Sequence, residues 1–124
     1  MRSLYIDCGM GAAGDMLAAA LLELLPEPEQ MLERLNALGL PGVVYRRERA
    51  VRAGISGSLL RVLIDGAEEG EPLSAQRDGH AGLDGIERLV ASLRVPSRVR
   101  EDVLAVYRLL AEAESRVQIG RAHV

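Results

Sequence analysis

Residues 7–16, DCGMGAAGDM, gather the groups of this chain best suited to chemistry. Gly9, Gly11 and Gly14 stand in the spacing G-x-G-x-x-G, in which glycines allow positive φ and let a ligand approach the backbone closely. A helix beginning at the last glycine would aim its free N–H groups and positive dipole end at whatever lies over the turn, which favours an anion such as phosphate. Asp7 and Asp15 oppose a bare phosphate, because two carboxylates beside it repel it unless a metal ion intervenes. Asp7, Cys8 and Asp15 are accordingly candidate metal ligands: the carboxylates suit a hard ion such as magnesium, and a thiolate suits nickel, zinc or copper. A second reading is purely structural. In it the glycines serve a tight turn, Asp15 complements the helix dipole and Cys8 is a small buried residue.

These residues need a strand before them and a helix behind them. Leu4, Tyr5 and Ile6 are a short apolar run that predicts the strand, and Met16 to Leu25 is apolar enough to predict a helix buried on several sides. Pro26 ends that helix and Pro28 starts a second, whose buried face is Met31, Leu32, Leu35 and Leu38, stopped by Gly39 and Pro41. The period then changes. Residues 44–51 and 59–64 read as strands joined through Ala53, Gly54, Ile55, Ser56 and Gly57, so an antiparallel pair is expected. Residues 67–82 are polar and rich in glycine and glutamate, which reads as a flexible linker opened by Gly66. Asp84 and Glu87 have the spacing of a helix cap, with Ile86, Leu89, Val90 and Leu93 behind them. Pro96 ends that helix, Ser97 can cap the last, and Val99, Val103, Val106, Tyr107 and Leu110 repeat along it. The order strand, helix, helix, strand, strand, helix, helix is not a run of βαβ units. It predicts an α/β or α+β sandwich, a small mixed sheet packed by helices.

Composition narrows the partners. A chain of 124 residues, 48% hydrophobic, is long enough for one domain with a real core. No apolar stretch approaches the roughly 20 residues a membrane span needs, and the N-terminus lacks the basic stretch of a secretory signal, so a cytoplasmic protein is expected without a membrane partner. Cys8 is the lone cysteine, in keeping with a reducing compartment. The net charge is −3 and aromatic residues are 2% of the chain, which provides neither the field nor the stacking platform for nucleic acid.

The two common nucleotide folds fit poorly. A dinucleotide fold wants an acidic residue about 20 positions past the last glycine at the end of a second strand, and that window falls on Glu33 and Arg34 inside a predicted helix. A phosphate loop of the Walker type needs a lysine, and every basic residue here is an arginine. Arg46, Arg47, Arg49 and Arg52 crowd the first strand of the pair and Arg61 its partner; alternation puts Arg47 and Arg49 on one face and Arg46 on the other. Such a face could clamp phosphate or carboxylate if it met the glycine turn, or simply guard a solvated sheet edge. His80, alone in the linker, reads as surface.

Three blocks in order, LYIDCGMGAAGDMLAAALLELLP at the start, AGISG at 53–57 and LAVYRLLAEAESRV near the end, resemble the nickel insertion protein (LarC) family of nickel-pincer cofactor biosynthesis. The likeness runs from Met1 to about Val117. It implies an enzyme, a nickel-inserting chelatase of the lyase class, that places nickel into pyridinium-3,5-bisthiocarboxylic acid mononucleotide in a reaction using CTP with a divalent metal ion, making the nickel-pincer cofactor of lactate racemase. The family continues with a His-Glu-Val-Gly segment and a nucleotide-handling C-terminal part, both missing from this chain, and its linker is commonly rich in histidine where this one keeps only His80. The expectation is therefore an N-terminal fragment, inactive alone, whose partners are the mononucleotide, the missing C-terminal part and, in the parent, further copies of itself. The alternatives are a non-catalytic nucleotide- or phosphate-binding module and a structural domain of a larger protein. The expected layout is an α/β domain at 1–66, the linker at 67–82, a helical hairpin at 83–118 and a non-native tail at 119–124. That tail, IGRAHV, is what read-through of a common sequencing adapter would encode, and it leaves His123 without meaning.

Overall fold

The computed structural model describes residues 1–68 and 83–121, with the side chains of the last helix described through residue 117. His80, His123, most of the expected linker and the last three residues of the expected tail lie outside the described residues. The class is α+β, with α1 (Gly14–Glu23), α2 (Pro28–Asn36), β1 (Val43–Arg52), β2 (Ile55–Ile64), β3 (Ala67–Glu68), α3 (Leu83–Ser92) and α4 (Ser97–Arg121). From α1 onward the expected order of elements is the observed order, with the short β3 added. Leu4, Tyr5 and Ile6, read as the leading strand, pair with no strand among the described residues and are 58%, 88% and 49% exposed. A strand exists only against a partner edge, and apolar pattern alone does not provide one.

The described residues fall into two compact units, the first being Met1–Asn36 with Gly42–Glu71. Its sheet has the order β1-β2-β3 and is antiparallel throughout, not mixed. The β1–β2 ladder runs unbroken from Val43↔Ile64 to Arg52↔Ile55. Only Ala53 and Gly54 are left for the turn, both at positive φ (50° and 77°), as a two-residue hairpin of right-handed twist requires. Ile55, Ser56 and Gly57, expected in the connection, therefore belong to β2. A second such hairpin follows at once. Asp65 and Gly66, at φ 51° and 85°, turn β2 into β3, so Ala67 and Glu68 are strand residues rather than the start of a linker.

The core of this unit is Ala19 and Leu22 of α1 on Leu60 of β2, with Ala18, Met31, Leu32 and Tyr45 packed around them. The spacing of Ala18, Ala19 and Leu22 is one stripe of a helix. Burial of α1 on several sides is not observed: Met16 and Leu21 are 50% and 45% exposed, because a helix laid on a sheet buries only the face turned toward it. Asn36, the last residue of α2, closes the unit by pairing its side-chain amide with the backbone of Tyr45, Nδ2 donating to the carbonyl at 3.0 Å and Oδ1 accepting from the N–H at 2.7 Å.

The second unit comprises Ala37–Pro41 and the described part of Pro72–Val124. α3 and α4 form a hairpin in which Val90 is buried, Arg108 pairs with Glu87 at 2.9 Å, and Arg100 Nη2 donates to the Leu93 carbonyl at 3.1 Å. Helix α3 starts at Leu83, so Asp84 sits inside its first turn, where its charge complements the dipole. Ser97 is the first helical residue of α4 rather than its cap: the Pro96 carbonyl accepts the Arg100 N–H at 3.1 Å. The Leu38 carbonyl accepts the Arg94 N–H at 3.1 Å and ties the connecting segment to this hairpin.

Candidate functional site

The glycine turn folds by local hydrogen bonds. Asp7 Oδ1 accepts the Gly9 N–H at 2.9 Å, and the Cys8 carbonyl accepts the Gly11 N–H at 2.9 Å, which closes a turn over Gly9 and Met10. Gly11 has φ +91°, a conformation that an L side chain rarely adopts. At Gly9 an added Cβ would lie 3.1 Å from Asp7 Oδ1, close enough that the carboxylate would have to shift by a few tenths of an ångström. Gly14 differs. Its φ is ordinary and nothing lies within 4 Å of a Cβ built there, so the local backbone and packing do not account for the glycine.

Helix α1 starts without a side-chain cap, from Ala13 in an extended conformation. Asp15 stands in the first turn with Oδ1 accepting its neighbour Met16's N–H at 2.9 Å, and the Ala13 carbonyl accepts the first helical bond, from Leu17 N–H at 3.0 Å. Asp7 and Asp15 thus each hold a backbone donor of their own segment. All three metal candidates, Asp7, Cys8 and Asp15, are exposed, and Cys8 is not the buried residue its bland reading assumed. No group of three or more His, Cys, Asp or Glu among the described residues is gathered to hold a metal ion.

What the turn does border is a cleft of about 500 Å³ between Ala13, Gly14 and Asp15 on one wall and residues 59–62 of β2 on the other. Arg61 and Glu68 line it as well. Arg61 Nε donates to Glu48 Oε2 at 2.8 Å and its Nη1 pairs with Glu68 Oε1. The Glu48 hydrogen bond, then the charges of Glu48 and Glu68, hold the guanidinium pKa above its ordinary value. Along the cleft Asp15 and Glu68 stand against Arg61, a surplus of negative charge that suits a cation, or a phosphate carrying one, better than a bare anion. The other arginines go elsewhere. Arg47 bonds Ser58 Oγ at 3.2 Å and Glu29 Oε1 at 3.1 Å, and Arg49 bonds Ser56 Oγ at 3.4 Å, on the face of the sheet that carries Leu60 and Tyr45. Of the arginine set, only Arg61 meets the glycine turn across this cleft.

The family model described as nickel insertion protein matches residues 4–123, nearly the whole chain. This chain belongs to the nickel insertion protein family. It is 38% identical over 118 residues to a putative nickel insertion protein of Thermomicrobium roseum, covering 94% of this chain and 27% of that protein. It is 39% identical to a putative nickel insertion protein of Myxococcus xanthus, covering 94% of this chain and 28% of that one. A protein of Akkermansia muciniphila named pyridinium-3,5-bisthiocarboxylic acid mononucleotide nickel insertion protein is 35% identical, covering 94% of this chain and 29% of it. The chain therefore spans less than a third of the length of these nickel insertion proteins. No solved structure matches. The family match extends through most of residues 119–124, the stretch read above as a foreign tail.

Two features of the site were not read from the sequence. The Asp65–Gly66 pair is a strong hairpin signal, and taking it as such would have returned Glu68 to the sheet beside Arg61. The cleft wall formed by residues 59–62 has no local signature, since it depends on strand pairing between residues distant in the chain.

Proposed function

We propose that this chain is the N-terminal portion of a cytoplasmic nickel-inserting enzyme, a chelatase of the lyase class. Its substrates would be nickel and pyridinium-3,5-bisthiocarboxylic acid mononucleotide, in a reaction that uses CTP with a divalent metal ion, and its product the nickel-pincer cofactor of lactate racemase. Family membership carries the reading, supported by the name of the Akkermansia muciniphila relative. On this reading the glycine turn contributes one wall of a mononucleotide site. Gly9, Gly11 and Gly14 let the phosphate approach the backbone, and the α1 N-terminus faces it.

Asp7, Cys8 and Asp15 would meet nickel as it passes to the substrate. The two carboxylates are hard donors now engaged with backbone N–H groups, and the exposed thiol is a single soft one. Three such donors, not gathered, do not complete a site for nickel or for the metal that accompanies CTP, so further ligands from outside the described residues would be needed. The chain alone is accordingly inactive, and it works as part of the longer polypeptide, which carries the rest of the site.

Calorimetric titration of the 124-residue chain with nickel, CTP and the mononucleotide separately tests this reading. Heat from the mononucleotide without turnover is the expected result. Heat from none of the three would make the chain a structural domain, and nickel insertion by the chain alone would end the fragment reading. In the full-length parent, Asp7→Ala and Asp15→Ala are expected to slow nickel insertion while leaving the fold intact.

A further inference from the structure

Helix α4 carries apolar residues on two flanks. On one, Arg100 is held by the Leu93 carbonyl, Arg108 by Glu87, and Leu104 and Ala111 are half-buried, so this is the flank turned to α3. The other is a line of Val99, Val103, Val106, Leu110, Ala113 and Val117, spaced alternately by four and three residues. That alternation is the seven-residue repeat of a helix packed lengthwise on another helix. Of this line Val99, Val106, Leu110 and Val117, with Leu109 beside them, are 43% to 66% exposed. From Val99 to Val117 the seam is about 27 Å long at the rise of an α-helix. Single exposed hydrophobics are normal on any surface, but a continuous line of them marks an interaction surface.

The residues bordering the seam point to its occupant. Asp102, Leu109 and Arg116 follow at seven-residue intervals along the border away from α3. Their order is self-complementary. Laid antiparallel on a second copy of α4, Val99 meets Val117, Val103 meets Ala113 and Val106 meets Leu110, each contact made twice by two-fold symmetry. The border then sets Asp102 of each copy beside Arg116 of the other and brings the two Leu109 side chains together near the axis. Asp102 has no ion pair among the described residues, and Arg116, paired with Glu112 of its own helix, keeps its side chain 77% exposed. A parallel pair would instead set Asp102 against Tyr107 and Leu109 against Glu114, which matches no charges and places a leucine on a carboxylate.

We propose that α4 is a self-association surface, through which two copies of this chain pair as antiparallel, two-fold symmetric helices. Burial of the valine and leucine seam drives the pairing, and Asp102 with Arg116 sets its direction and register. The seam is short and its ion pairs are exposed, so the dimer is expected to form and dissociate with concentration.

This association does not rest on the nickel reading and is tested without any ligand, by sedimentation equilibrium of the 124-residue chain from micromolar to millimolar concentration. A monomer–dimer equilibrium is expected. Leu109→Glu sets two carboxylates together at the axis and should leave a monomer throughout. Asp102→Arg and Arg116→Asp each turn both ion pairs into like-charge pairs, and each alone should weaken the dimer by about ten-fold. An equimolar mixture of these two variants should regain the wild-type affinity, because one copy then carries two arginines and the other two aspartates at the facing positions. Far-UV circular dichroism of each variant checks that the helices persist. A wild-type chain that stays monomeric to millimolar concentration, a dimer that survives Leu109→Glu unchanged, or a mixture that associates no better than its components would overturn the proposal.

Discussion

The side chain of Asn36 pairs with both backbone groups of Tyr45, donating to the carbonyl at 3.0 Å and accepting from the N–H at 2.7 Å. A carboxamide has the donor and acceptor of a peptide group, so one residue at the end of α2 stands in for a strand on the outer edge of β1. The pair joins α2 to the sheet and blunts an edge that would otherwise be open to other chains.

Asn36→Ala removes both bonds and is expected to cost about 1 kcal/mol, the usual net worth of exposed hydrogen bonds of this kind. Asn36→Asp should cost at least as much, because it keeps the acceptor for Tyr45 N–H but sets a carboxylate against the Tyr45 carbonyl. Urea unfolding of the two variants beside the wild type measures this, and an Asp variant as stable as wild type would show the pair to be incidental.

Gly42 holds φ +71°, and a Cβ there would overlap the Asp65 carboxylate, whose own backbone N–H donates to the Gly42 carbonyl at 2.8 Å. Gly42→Ala is therefore strained both by conformation and by contact. A loss of roughly 1–3 kcal/mol is expected, read as a lower thermal midpoint.

Ala53 is the reverse case, a residue with a Cβ at φ 50° in a two-residue hairpin that favours Asn or Gly at that position. Ala53→Asn is expected to stabilise the chain by about 0.5–1 kcal/mol, because asparagine tolerates the left-handed region better. Denaturant midpoints that fall would show that the β1–β2 turn is held in another geometry in solution.

Arg61 lies between Glu48 and Glu68, and its raised pKa means that the folded state binds its proton more tightly than the unfolded state does. Its contribution to stability is fully present below the ordinary arginine pKa and is lost only as pH rises through the still higher folded value. The destabilisation by Arg61→Gln should thus be the same at neutral and mildly alkaline pH, and should shrink as salt screens the partly exposed pairs. A difference that disappeared already in mildly alkaline buffer would contradict this assignment.

Gly14 separates fold from function within the turn. With ordinary φ and open space around it, Gly14→Ala should leave stability unchanged or raise it by up to about 1 kcal/mol, since alanine is the better helix residue. If the phosphate of the mononucleotide approaches this backbone, the same change in the full-length parent should weaken its binding by about ten-fold, as a methyl group keeps the ligand at a distance. Unchanged affinity would remove Gly14 from the site.

The sequence by itself determined the local elements and the family. Pro26, Pro28, Gly39 and Pro96 punctuate the chain where the helices stop and start, and alternation assigned Arg47 and Arg49 to one sheet face, as their bonds to Ser58 and Ser56 show. These are short-range effects of φ restriction and side-chain period, legible in a window of a few residues. Only the tertiary structure decided which of the candidate groups meet. It set Arg61 rather than Arg47 or Arg49 across the cleft from the start of α1, joined Glu68 to Arg61, and left Leu4, Tyr5 and Ile6 exposed and outside the sheet among the described residues. A strand's register and its open edge depend on pairing between residues distant in the chain, and apolar pattern names the residues able to pair without naming the edge that receives them.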